Sequence, residues 1–327
     1  MKIIGIGNAL VDVLVRLKDD SVLKGLDLER GGMSLIGDVK HSLVTELLAT
    51  LQPAMSTGGS AGNSMLALAN LGEEPGFIGR IGRDAMGRYF EENCQKVGIR
   101  ATLIHGEEAT GVANTFISKD RERTFATYLG AAAGMRPEDV RKDWFEGYDL
   151  LHLEGYLVQD HELIERIAMT AKEAGLQISL DLASYNVVRE NLGFMRRLVR
   201  DYVDIVFANE EESHAFTGLK ARDALQEIGE MTRVAVVKLG GKGSCAMGGG
   251  QTAEVGTDKV NVVDTTAAGD FFAGGFLYAY SRGASLEACL KCGTLLAGEV
   301  IQVIGTMLDG KTWEEIREKV QRIIQKA

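Results

Sequence analysis

After residue 137 the chain alternates short apolar runs with longer amphipathic ones, and this alternation restricts the fold more than any other feature. Residues 149–153, 177–180, 205–208 and 234–239 read as strands, while 161–172 and 188–200 between them carry apolar side chains at helical spacing. A helix between two strands returns the chain to the end from which it started. Successive strands are then parallel, with right-handed crossovers. The expected fold class is α/β, a doubly wound, mainly parallel sheet with helices on both faces. Ligands of such a sheet bind beyond the carboxyl ends of its strands. At 327 residues there is room for that domain plus a small accessory element, or for two domains.

Bulk properties remove some function classes. A net charge of −10 argues against a nucleic-acid groove or an anionic membrane surface as partner. The first fifteen residues lack a basic leader and are interrupted by Asn8 and Asp12, and no charge-free run is long enough to span a membrane. Cys289-x-x-Cys292 has no second pair and falls in a helical apolar pattern, so it and the scattered Cys94 and Cys245 read as core thiols of a reducing compartment. A cytoplasmic protein is expected.

The chemistry concentrates in residues 262–276. Val260 to Val263, interrupted by Asn261, suit a short strand. Thr265, Thr266, Ala267, Ala268 and Gly269 then lead into an apolar helix. Small residues at a helix mouth let a ligand approach unpaired N–H groups, and the helix dipole favours an anion there. Asp270 stands in the first turn, beside that anion position. Either it caps a helix whose small residues serve packing, or it takes a proton from a hydroxyl that attacks a phosphoryl group while the amides hold the charge.

A second helix mouth follows Gly58-Gly59-Ser60, with Asn63 one turn in. Asn8 and Asp12 share one face of an apolar stretch from residue 2 to 12, read as a continuous strand with a pair of groups for a polyol or one wet face. Asp84 reads as a helix N-cap after a glycine-rich strand. Residues 113–118 and 123–128 read as strands joined by the charged turn 119–122. Asn209 and Glu212 follow a strand, and Gly240 and Gly243 follow Lys238 at the end of another. Residues 286–304 read as a helix, and 313–324 as a surface amphipathic helix.

Asp264-Thr265-Thr266-Ala267-Ala268-Gly269-Asp270 resembles the Asp-Thr-x-Gly-Ala-Gly-Asp signature of the ribokinase/PfkB family of sugar and nucleoside kinases. The Gly58-Gly59…Asn63 segment, Asn209-x-x-Glu212 and Lys238-x-Gly240-x-x-Gly243 are similar to its other motifs, in the same order over nearly the whole chain. The resemblance implies a large α/β domain of residues 1–14, 41–100 and 130–327, with a β-lid of residues 15–40 and 101–129. It implies Asp270 as catalytic base, the Ala267, Ala268 and Gly269 amides as anion hole, and Arg123 reaching the phosphates. Asn8, Asp12, Gly58, Gly59 and Asn63 would hold the substrate, and Asn209, Lys238, Gly240, Gly243 and Thr265 the nucleotide. ATP and Mg²⁺ are implied, with Glu212 on the metal through water. Many members bind a monovalent cation such as K⁺, for which Asp264 is the candidate, and the lid offers an edge for a homodimer.

Two residues depart from the family pattern. Ala267 replaces a usual glycine and disfavours positive φ, so a reshaped anion hole is expected. Lys238 replaces a usual threonine. The Gly7-Asn8…Asp12 start and Arg123…Leu129-Gly130-Ala131 resemble the adenosine kinase branch. A nucleoside, adenosine first, is therefore the implied substrate, with a ribokinase- or fructokinase-type free sugar as the alternative. A non-catalytic ligand-binding regulator is the rival outside this class. A dinucleotide-binding enzyme is disfavoured because Gly5-Ile6-Gly7 lacks the third glycine at the required spacing.

Overall fold

The computed structural model describes residues 1–51, 53–120 and 122–326. The strands are β1 (Ile3–Ile6), β2 (Leu10–Arg16), β3 (Met33–Leu35), β4 (Ala54–Gly58), β5 (Gly76–Gly82), β6 (Arg100–Gly106) and β7 (Gly111–Ile117). There follow β8 (Arg123–Tyr128), β9 (Leu150–Glu154), β10 (Gln177–Asp181), β11 (Ile205–Asn209), β12 (Val234–Lys238), β13 (Ser244–Gly248) and β14 (Gln251–Val255). Nine of them form one sheet in the order β14-β13-β12-β11-β10-β9-β1-β5-β6, parallel from β12 to β6 with an antiparallel edge. The other five form a smaller sheet, β3-β8-β7-β2-β4.

Alternation along the large sheet's strands feeds two cores. Ile205 and Phe207 of β11, with Val234 and Val236 of β12, belong to one; Val206, Ala208, Ala235 and Val237 belong to the other. Both faces are thus covered, as a parallel sheet requires. Helices Ser60–Asn70, Ala268–Tyr280, Leu286–Val300 and Gly310–Gln325 supply the first core, and His161–Glu173, Leu192–Tyr202 and Ala221–Met231 the second. The small sheet has one dry face, with Val11, Val13 and Val15 of β2 buried, while Arg123, Phe125 and Thr127 of β8 alternate onto its half-buried face.

Several expectations shift. The stretch from residue 2 to 12 is two strands: β1 lies between β9 and β5 in the large sheet, and β2 between β7 and β4 in the small one. The break falls where the Asn8 amide donates to the Glu154 carboxylate (3.3 Å) and not to a neighbouring strand. Sheet membership also departs from the expected lid boundaries. Leu10–Arg16 and Ala54–Gly58 pair into the small sheet, and Arg100–Gly106 pairs with β5 at the edge of the large one. Residues 260–263 form no strand; the amides of Val263 and Asp264 both donate to the Ile301 carbonyl at a helix end (2.7 and 3.1 Å). The helix expected over 188–200 is two, Tyr185–Glu190 and Leu192–Tyr202, because Asn191 leaves helical geometry at φ −118°, ψ 18°. Of the charged turn 119–122, Arg121 lies outside the described residues. The C-terminal helix buries Trp313, Ile316 and Val320 along one stripe.

Candidate active site

Helices Ser60–Asn70 and Ala268–Tyr280 begin side by side at the mouth of a cleft of ≈ 2810 Å³ between the two sheets. Pockets for one ligand commonly occupy about 300–1,000 Å³, so this cleft has room for two. Asn8, Asp12, Gly59, Asn63, Asn209, Glu212, Lys238, Gly240, Gly243, Thr265 and the 267–270 turn all line it. Gly58, Arg123 and Asp264 do not line it.

Asp270 is where the two helix starts meet. Its Oδ1 accepts from Ser60 Oγ (2.7 Å) and its Oδ2 from Asn63 Nδ2 (2.9 Å). Burial pushes its carboxyl up to about 6, against the pull of these two hydrogen bonds. A base in this range is ionised near neutral pH yet binds a proton readily. The amides of Ala267, Gly269 and Asp270 make no hydrogen bond to another described residue, while that of Ala268 donates to the Thr265 carbonyl at 3.3 Å. The result is an open helix N-terminus with a poised carboxylate beside it.

Ala267 is left-handed, at φ 61°, ψ 5°. This is a conformation that favours glycine, and the alanine carries strain of order 1–2 kcal/mol. The surrounding turn explains how. Asp264 is buried, its Oδ1 accepts from the Thr266 amide (2.8 Å) and Arg123 Nη1, and its Oδ2 accepts from the Gly305 amide (2.9 Å). Arg123, arriving from β8, also donates to Thr266 Oγ1 (2.6 Å) and Thr265 Oγ1 (2.9 Å). Arg123 therefore clamps the turn that leads into the helix. Both Asp264 oxygens accept protein donors, Oδ1 two and Oδ2 one, and about four lone-pair sites per carboxylate leave Oδ2 with accepting capacity.

At the other helix start, Gly59 has φ 86°, and a Cβ there would lie 2.0 Å from the Asn8 carbonyl oxygen; one on Gly58 would lie 2.2 Å from Asp12 Oδ1. The two glycines let this turn close against β2. Asn8 Nδ2 donates to Glu154 Oε1 (2.6 Å), and Glu154 Oε2 accepts the Ala61 amide (3.1 Å). Burial raises the Glu154 carboxyl to about 7 despite these bonds. Asp12 is raised to about 7 by burial, then by the charges of Asp270 and Asp264.

On the far side of the cleft, Asn209 caps helix Glu210–Thr217. Its Oδ1 accepts the Glu212 amide (2.8 Å), while Glu212 accepts from the Asn209 amide (2.8 Å) and side chain (2.6 Å). Burial raises Glu212. Among the described residues no group of three or more His, Cys, Asp or Glu could hold a metal by itself. That donor set fits Mg²⁺, which keeps waters and takes few carboxylates; spare lone pairs on Glu212 suit contact through water. Gly240 (φ 56°) and Gly243 (φ 111°) form the tight turn after β12. Lys238 Nζ bonds Asp181 Oδ2 at 2.8 Å.

Sequence reading missed Ser60, Glu154 and Asp181. The last two end β9 and β10, where a parallel sheet places ligand-facing groups. Their position was the available signal.

A family model for pfkB family carbohydrate kinases matches residues 33–313. The chain belongs to that family. Adenosine kinase from Sinorhizobium meliloti superposes with a TM-score of 0.86 at 32% identity, covering 97% of this chain and 99% of that one. Adenosine kinase of Saccharomyces cerevisiae is 24% identical over 92% of this chain and 94% of its own length. The 5-dehydro-2-deoxygluconokinase of Lacticaseibacillus casei is 28% identical over 77% and 82%. The chain is thus a pfkB-type phosphotransferase that acts on an alcohol group, and membership implies ATP with a divalent metal. Among the described residues no helix is long and apolar enough to cross a membrane.

Proposed function

We propose that this pfkB-family kinase phosphorylates the primary hydroxyl of a nucleoside, adenosine first. One observation carries the substrate class: the small sheet turns an apolar wall toward the cleft. Leu10, Met33, Leu35, Phe125 and Leu129 line it, joined by Met135 and Tyr156. Met33 and Leu35 are 60% and 66% exposed, large apolar side chains with nothing of this chain over them. A free sugar is polar on nearly every face, whereas a nucleobase offers flat apolar faces to such a wall. Asn8, Asp12 and Asn63 add polar groups suited to ribose hydroxyls. The Sinorhizobium meliloti adenosine kinase, similar over nearly its whole length, supports the same reading.

Asp270 removes the hydroxyl proton as the oxygen attacks the γ-phosphate, and the amides of Ala267, Gly269 and Asp270 receive the charge that develops. The amide of Ala268 lies in the same mouth. Asn209, Thr265, Gly240 and Gly243 border the nucleotide. Bound Mg²⁺ would neutralise charge on the phosphates, with Glu212 holding it through water. A monovalent cation such as K⁺ would take the remaining accepting capacity of Asp264 Oδ2. We place the enzyme in the cytoplasm, and the small sheet's edge strands β3 and β4 make a homodimer the assembly to look for by sedimentation.

ATP consumption against a panel of nucleosides and free sugars, beside Asp270→Asn, tests the reading. Turnover on adenosine that is lost in the variant supports it. Turnover on a free sugar alone keeps the chemistry and overturns the substrate. Silence across the panel with ligand binding intact identifies a regulator.

A further inference from the structure

The open helix N-terminus has a cation beside it that the reaction described so far does not use. Lys238 is the last residue of β12, and its side chain is 15% exposed, at the cleft wall. A Cβ placed on Gly269 would lie 3.1 Å from Lys238 Nζ. The ammonium therefore sits against the turn that carries the open Gly269 and Asp270 amides, and a glycine is what leaves it room. Its other side is held by Asp181 at 2.8 Å. Burial opposes the charge, but Asp181, Glu212 and Asp270 around it raise the ammonium to about 12. Burial pushes the Asp181 carboxyl up, but the Lys238 charge and hydrogen bond, the Ala183 amide and His152 together hold it below the ordinary carboxylate range.

An ammonium whose only role was to neutralise Asp181 would gain nothing from bordering free amides. We propose that Lys238 is a catalytic residue that supplies a fixed positive charge to the transferring γ-phosphoryl group, aimed by Asp181. A lysine acts on phosphate as a compact point charge with rotatable donors, so it need not break its bond to Asp181 to reach a second anion. Asp181 is then the positioning residue. The proposal deepens the kinase reading and rests on it, but does not depend on which acceptor is correct.

The test pairs Lys238→Met with the double variant Lys238→Met/Asp181→Asn, which leaves no unpaired buried charge to unfold the protein; thermal melting checks that it folds. Calorimetry compares ADP with a non-hydrolysable ATP analogue, both with Mg²⁺ and without acceptor. The double variant is expected to bind ADP as the wild type does and the ATP analogue roughly 10–100-fold more weakly, the loss of one charge-assisted contact. Its kcat on whichever acceptor the wild type uses is expected to fall about 10²-fold. Equal loss for ADP and the analogue would overturn the γ-phosphoryl assignment. A folded double variant with wild-type affinities and kcat would reduce the pair to a structural ion pair. Because binding is read without acceptor, a wrong nucleoside assignment leaves this outcome intact.

Discussion

Two helix N-termini meet at Asp270, and they are finished in opposite ways. At Ser60–Asn70 the position for an anion is already filled: Glu154 takes the Ala61 amide and reaches across to Asn8. At Ala268–Tyr280 the amides of Gly269 and Asp270 are open, and a lysine stands next to them. Both starts are rich in small residues and both have the same dipole. What separates a site that binds an anion from one that presents polar side chains is therefore the carboxylate at the end of β9, not the glycines. The filled start contributes Ser60 and Asn63 to hold the base; the open start is left for the phosphoryl group.

The largest effect comes from removing the base at the open start. Asp270→Asn keeps the shape and is expected to lower kcat by roughly 10³-fold, within the range for a lost general base, with ATP affinity retained; steady-state kinetics and calorimetry read both. Emptying the filled start acts on stability. Glu154→Ala leaves the Asn8 amide, the Asn8 side chain and the Ala61 amide without their acceptor, at about 1–3 kcal/mol for each buried donor that water does not reach. The gain from removing a buried acid offsets part of this. A clear drop in melting temperature and a raised KM for the acceptor are expected.

The same carboxylates set the pH response. Glu154, Asp12 and Asp270 are all raised in the fold, so the folded state holds protons that the unfolded chain has released. Their stabilisation is present at low pH and is lost as pH rises through about 6 to 7. Activity runs the other way, since Asp270 must be ionised: kcat/KM is expected to fall as pH drops through about 6. Ser60→Ala removes a bond that favours the ionised form and is expected to move that limb to higher pH; an unmoved limb would assign it to another group. The smallest effect is Ala267→Gly. Relief of left-handed strain is offset by the greater freedom of unfolded glycine, so melting is expected to shift little and turnover to stay near wild type.

The strands and helices after residue 137 were legible because each is long enough to show its period, and the motif order exposed Asp270 and its helix. What local patterning could not give was any feature decided by distant partners. The chain changes sheets at Gly7–Ala9 because Glu154, 146 residues away, takes Asn8. Val263 has a strand's residue type, yet its amide is claimed by Ile301. Arg123 holds the turn at Asp264 from 141 residues away, a bond no local pattern displays. Ala267 reads as a poor fit to a left-handed turn, and the bonds from Asp264 and Arg123 overrule that preference.

The contrast between the two helix starts is tested most directly by a crystal structure with adenosine, ADP, Mg²⁺ and aluminium fluoride, a mimic of the phosphoryl group in transfer. The fluoride is expected at about 2.7–3.1 Å from the amide nitrogens of Gly269 and Asp270, with Asp270 facing the acceptor hydroxyl. Fluoride bound at the Ser60–Asn70 start, with Glu154 displaced, would contradict it.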